Sequence, residues 1–105
     1  GKPVKAIEQE TLADSLRGGI GLNNQFTFSM VKEYMDEIHL VSELEIAKSI
    51  QFMIEVHRMV IEGAAAAGVA AIKGNKIADQ EGAMVAIISG NNIDFSIVKK
   101  LLLAK

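Results

Sequence analysis

The chain has 105 residues, enough for one modest core, and a net charge of −2 with dispersed lysines, which leaves no basic stripe for a nucleic-acid partner. Half of the residues are hydrophobic but only 5% are aromatic, so the core material is aliphatic, as in helix-rich or α/β domains. Cysteine is absent, which excludes disulfides and thiolate metal sites, and no apolar run nears the roughly 20 residues of a spanning helix. With no signal-peptide pattern at its start, a cytoplasmic protein with no membrane partner is expected.

Residues 1–10 are polar and hold the single proline, Pro3, as expected of a surface lead-in. Thr11, with Asp14 three residues on, predicts a short capped helix. Gly18-Gly19-Ile20-Gly21 ends it in a turn that Asn23-Asn24 continues. The spacing of Phe28, Val31, Tyr34, Met35 and Ile38 predicts a helix over 27–37, and Ile38–Val41 reads as a short strand. Ser42 and Glu45 form an S-x-x-E box that opens a long helix, with Leu44, Ala47, Ile50 and Ile54 on one face and Met53 beside them. After a break at Glu62-Gly63, an alanine-rich helix over 64–73 ends at a Gly74-Asn75 cap. Residues 76–82 form a polar loop. The continuous apolar run over 83–88 fits a strand buried on both faces. Ser89-Gly90-Asn91-Asn92 then turns the chain, and Asp94 caps a last helix over 95–104, with Lys99, Lys100 and Lys105 solvated. The alternation of helix and strand points to α/β layers, and two strands are too few for a complete sheet.

Two places can carry chemistry. Ser89-Gly90 follows the apolar run, and in open α/β sheets ligands sit beyond the carboxyl ends of strands. An ordinary strand-to-helix turn explains the same residues. Glu62 lies among apolar neighbours, where an unpaired carboxylate is costly to bury. Simple N-terminal capping of the next helix accounts for it, and is preferred on the residues alone. The glycine loop over 18–21 lacks the flanking strand and helix of a phosphate cradle. His39 and His57 have no second ligand at metal spacing, so no metal is expected. The five methionines read as scattered core fillers.

Together, Thr11–Leu16, Ile20–Asn23, Val41–Ile46, Glu62–Ala71 and Ser89–Asp94 resemble the threonine dehydratase (threonine ammonia-lyase) and serine racemase family of pyridoxal-phosphate fold type II, in family order and spacing over residues 11–98. The T-L-A-D-S-L and G-G-I-G-L forms look closest to the hydroxyectoine-utilisation dehydratases. The resemblance implies an α/β, tryptophan synthase β-like domain, of which residues 1–105 are the helix-rich C-terminal part. It implies pyridoxal 5′-phosphate as cofactor and conversion of L-threonine, L-serine or a related amino acid to a 2-oxo acid and ammonia.

The resemblance also implies that the Schiff-base lysine, phosphate loop and acidic metal cluster lie outside this chain, since no lysine here stands in an S-x-K context. The chain alone is therefore expected to be inactive and to supply no catalytic residue. Ser89 matches the serine that bonds the pyridine nitrogen, and Gly90 and Asn91 follow it at the cofactor. Glu62 matches an acidic residue near the ring. Asp14 and Ser15 fall in a segment on the substrate side. Ser15 stands where the family commonly has glycine, and Asn91 replaces the second glycine of S-G-G-N. A homo-oligomer is expected. The alternatives are a non-catalytic, self-associating α/β module and an appended amino-acid-binding regulatory domain.

Overall fold

Ser42 opens the longest helix. Its hydroxyl accepts from the Glu45 N–H at 3.3 Å, while its own N–H donates to Glu45 Oε2 at 2.6 Å. This reciprocal box occupies two N–H groups that a helix start otherwise leaves to solvent. In the computed structural model, which describes residues 1–78 and 81–104, a single 3₁₀ turn at Asp14–Leu16 precedes α1 (Thr27–Tyr34), α2 (Glu43–His57), α3 (Gly63–Lys73) and α4 (Phe95–Leu103). Lys105 and two residues of the expected polar loop, Asp79 and Gln80, lie outside the described residues. Among the described residues no helix is long and apolar enough to cross a membrane.

The centre of the molecule is the pair α2 and α3. Ile46, Ile50 and Met53 of α2 pack with Ala66 and Val69 of α3, and Ile61 and Ala13 close the cluster. Small side chains on α3 let its backbone come close, so that large residues are needed from one helix only. The buried face of α2 is rotated from the expected one: Ser49 is buried, whereas Leu44 is exposed. Apolar spacing points to the most hydrophobic side chains. A small polar side chain such as Ser49, 1% exposed, carries no such mark.

Both helix ends are shaped by left-handed residues. Arg58, at φ 58°, stops α2 with its N–H on the Met53 carbonyl. At the end of α3 it is Asn75, at φ 50°, and not Gly74 that turns left-handed. Asn75 N–H reaches Ile72 O at 3.1 Å and Lys76 N–H reaches Ala71 O at 3.0 Å, so the last carbonyls are used. The Lys73 ammonium stands 3.5 Å from the Phe52 ring centroid, and His57 meets the same ring edge-on at 5.2 Å. α4 begins at Asp94, whose carboxylate accepts from Ser96 N–H at 2.7 Å. It is tied to α2 by Gln51 Nε2, which donates to Leu101 O at 2.5 Å.

Several expectations are corrected. No strand forms among the described residues: 38–41 and 83–88 run without ladder bonds, so the described residues are helix-rich, as expected, with no sheet among them. A strand needs a neighbour's N–H and C=O groups, which neither run has here. The apolar run is not buried on both faces either, since Val85 and Ile87 are each 83% exposed. Thr11 does not cap a helix. Ala13 precedes the 3₁₀ turn instead, and Thr11 Oγ1 accepts from Ala13 N–H at 3.1 Å. α1 ends at Tyr34, three residues early, and buries none of its side chains. Of the methionines only Met53 is buried.

Candidate functional site

Three segments far apart in sequence meet at one carboxylate. Glu62 follows the buried Ile61 and occupies the position before the first turn of α3, with extended backbone at φ −78° and ψ 165°. Its side chain does not cap that helix. Instead Oε1 accepts the Ser15 hydroxyl at 2.8 Å, and Oε2 accepts the Asn92 N–H at 3.0 Å. The Glu62 N–H donates to Gly90 O at 3.1 Å. Simple capping, preferred on the residues alone, is thus overturned: the carboxylate joins segments 47 and 30 residues away.

Glycines make these approaches possible. A Cβ on Gly90 would lie 2.4 Å from the Glu62 carboxyl carbon, and one on Gly63 would lie 1.9 Å from the Leu12 carbonyl oxygen. The stretch around the 3₁₀ turn therefore rests directly on the backbone at the start of α3. A second carboxylate anchors its other end. Glu43, in the first turn of α2, accepts the Leu12 N–H at 2.8 Å and the Thr11 hydroxyl as well.

Of the expected site residues, the structure brings Ser15, Glu62 and Gly90 into direct contact. Ser89 and Asn91 flank Gly90 on the exposed side of the same turn, and among the described residues neither side chain forms a hydrogen bond. Asp14 is exposed and accepts from the Ser15 N–H at 2.9 Å. Sequence reasoning missed Glu43, Gly63 and Asn92. For Asn92 and Gly63 the signal was present in the S-G-N-N and E-G motifs, but nothing local marks Glu43 as more than a first-turn acid. A concavity of about 730 Å³ lies elsewhere, between Pro3, Val4 and the glycine loop at 18–22, and none of the expected site residues lines it.

The donor set is an exposed hydroxyl at Ser89, a half-buried carboxylate held by two donors, and a bare glycine between them. The hydroxyl is open to solvent, while both carboxylate oxygens already accept from Ser15 and Asn92. The set has no lysine and no cradle of N–H groups for a phosphate.

The chain is 41% identical over 103 residues to the L-threonine ammonia-lyase of Thermotoga maritima, with 97% of this chain and 25% of that protein covered. It is 37% identical over 95 residues to the L-threonine ammonia-lyase of Geobacter sulfurreducens, covering 90% of this chain and 23% of that protein. To the catabolic L-threonine dehydratase of Escherichia coli K12 it is 39% identical over 93 residues, covering 87% and 28%. The chain thus spans about a quarter to a third of the length of the curated relatives it matches. No solved structure matches it. Residues 1–90 match a family described as pyridoxal-phosphate dependent enzyme, a span that includes Ser15, Glu62, Ser89 and Gly90, and the chain belongs to that family.

Proposed function

We propose that residues 1–105 are the C-terminal part of the catalytic domain of a cytoplasmic, homo-oligomeric ammonia-lyase that uses pyridoxal phosphate. In this reading the whole enzyme converts L-threonine, L-serine or a related amino acid to a 2-oxo acid and ammonia. The observation that carries it is the convergence of Ser15, Glu62 and the 90–92 turn on one carboxylate, within a chain of this family. Membership of an enzyme family favours it over a non-catalytic module or an appended regulatory domain. The oligomer is supported by the many large apolar side chains left exposed, Val85, Ile87 and Phe95 among them.

The residues present fit one edge of the cofactor ring. Ser89 is exposed, has no partner among the described residues, and is followed by a glycine whose missing side chain lets the Glu62 carboxylate approach. Bound pyridoxal phosphate supplies an electron sink for the charge left when the α-proton departs. Ser89 would hold that ring by donating its hydroxyl to the pyridine nitrogen. A neutral hydroxyl cannot keep that nitrogen protonated as a carboxylate would, which weakens the sink. A weak sink suits β-elimination, where the substrate hydroxyl leaves soon after the α-proton. Glu62 sets the negative potential beside the ring, Gly90 and Asn91 shape the wall, and Asp14 and Ser15 border the substrate side. The lysine and the phosphate contacts come from the remainder of the enzyme.

The test uses the full-length protein with pyridoxal phosphate. L-threonine or L-serine is expected to yield a 2-oxo acid, and residues 1–105 alone are expected to yield none. Ser89→Ala is expected to keep the cofactor while turnover falls. Ser89→Asp is expected to raise racemisation relative to elimination. A cofactor-loaded full-length protein that releases no 2-oxo acid from either substrate sinks the reading. Unchanged rates and product ratios in both variants reduce Ser89 to a turn residue.

A further inference from the structure

Glu62 has two destinations open to its carboxylate. As the residue before α3, it lies next to the N–H groups of Ala64 and Ala65, which by their position in the first turn have no intrahelical acceptor. Short oxygen-bearing side chains at this position turn back onto them; the Glu62 side chain is one methylene longer than that of aspartate, and the helix dipole favours its negative charge whichever way it points. The carboxylate turns outward instead, to Ser15 and Asn92. One N–H at Asn92 against one or two N–H groups at the helix start would not favour that direction. The Ser15 hydroxyl is the donor that only the outward arrangement gains, and a hydrogen bond to an ionised group is worth more than one between neutral groups.

The outward arrangement matters because Glu62 grips the turn at two points. Its N–H holds Gly90 O at 3.1 Å and its Oε2 holds Asn92 N–H at 3.0 Å, which brackets the residues directly after Ser89. If the carboxylate swings back, one of the two brackets is lost. The backbone bond to Gly90 O remains, and residues 91–92, held only by the carboxylate, are then free to move. We propose that Ser15 is a positioning residue: it holds Glu62 outward, and so fixes the 90–92 turn and the direction in which the Ser89 hydroxyl points. Its own proton is engaged by Glu62, so its hydroxyl is not free to donate to a substrate. The functional half of this inference rests on the reading of Ser89 as the residue that faces the cofactor ring.

The experiment is amide-resolved hydrogen exchange on the full-length protein, with and without pyridoxal phosphate, for wild type, Ser15→Ala and Ser15→Thr. In Ser15→Ala the Asn92 amide is expected to exchange faster and the Ala64 or Ala65 amide slower, as the carboxylate changes partners. Ser15→Thr keeps a hydroxyl and is expected to return both toward wild type. With threonine as substrate, Ser15→Ala is expected to lower kcat on the order of tenfold, the loss of one hydrogen bond to a charged group, with KM moved less than about twofold. Wild-type exchange at Asn92 in Ser15→Ala overturns the proposal, as does a Ser15→Thr protein that behaves like Ser15→Ala. Exchange in the cofactor-free protein decides the link between Ser15 and Glu62 whatever the enzyme acts on. A wild-type protein with no dehydratase activity counts against the proposed function and not against that link.

Discussion

Gly63 and Gly90 are both pressed by neighbours, but by different kinds. At Gly63 an added Cβ meets the Leu12 carbonyl and the Ala13 nitrogen, at 1.9 Å and 2.8 Å, and backbone atoms cannot step aside by changing rotamer. At Gly90 it meets the end of the Glu62 side chain, which can move. Gly63→Ala is therefore expected to lift residues 11–16 off the start of α3 and to cost about 1–3 kcal/mol, the usual range for overpacking. Urea unfolding of the full-length protein measures it. A midpoint unchanged from wild type would mean that the 11–16 stretch yields freely and is not seated on α3. In sequence Gly63 is legible only as a break before a helix. The backbone that comes to rest on it is 50 residues away, and no local pattern reports such a partner.

The capping box that starts α2 is the element most fully legible in sequence, because both members of the pair lie within four residues of each other. What spacing does not reveal is that Glu45 also receives Lys76, whose ammonium lies 3.0 Å from Oε1 and ties the loop after α3 to the head of α2. The Ser42 N–H, then Lys76, then the Ser42 hydroxyl hold the Glu45 carboxyl down from its ordinary 4.5 to about 2. A carboxyl with a lowered value in the folded state stabilises it fully above the unfolded value and loses that contribution as pH falls through the folded one. Between about pH 5 and pH 2 the wild type is thus expected to lose more stability than Glu45→Gln, with the two converging near the bottom of that range. Urea midpoints taken across this window check it, and parallel curves would show that Glu45 is not coupled to folding. The strands failed as expectations for the opposite reason to the box. Apolar character at 83–88 states what the run would bury against, but ladder bonds need a second segment at a defined register, and that is not a property of the run.

At the scale of the whole molecule, a small aliphatic core under α2 and α3 leaves much of the apolar surface uncovered. Val85 and Ile87 are 83% exposed, Leu40 is 82% exposed and Phe95 is 78% exposed. Burial of such surface gains about 25 cal/mol per Å², and extended runs without ladder partners are a known route to pairing between chains. Residues 1–105 as an isolated polypeptide are expected to self-associate, with sedimentation coefficients that rise with concentration. A compact monomer that unfolds cooperatively at every concentration would show that this stretch closes its own core. Composition made the aliphatic core legible. The distribution of that apolar surface between inside and outside was not, because helical spacing alone cannot tell a face that has a partner from one that lacks it.

The seat of Leu12 on Gly63 also says something about the order in which the molecule comes together. α2 and α3 are joined by five residues and can find each other by local search. The bonds that assemble the site span 28 to 47 residues, so they carry a larger loop-closure cost before they return anything. The helix pair should be in place at the rate-limiting step, with the 11–16 stretch settling onto it afterwards. Gly63→Ala is then expected to speed unfolding while barely slowing folding, the signature of a contact made late. Stopped-flow traces on the same variant separate the two arms, and a slowed folding arm would place that contact in the nucleus. Late closure also means early release: the 11–16 stretch, and with it the bond from Ser15 to Glu62, is expected to let go first.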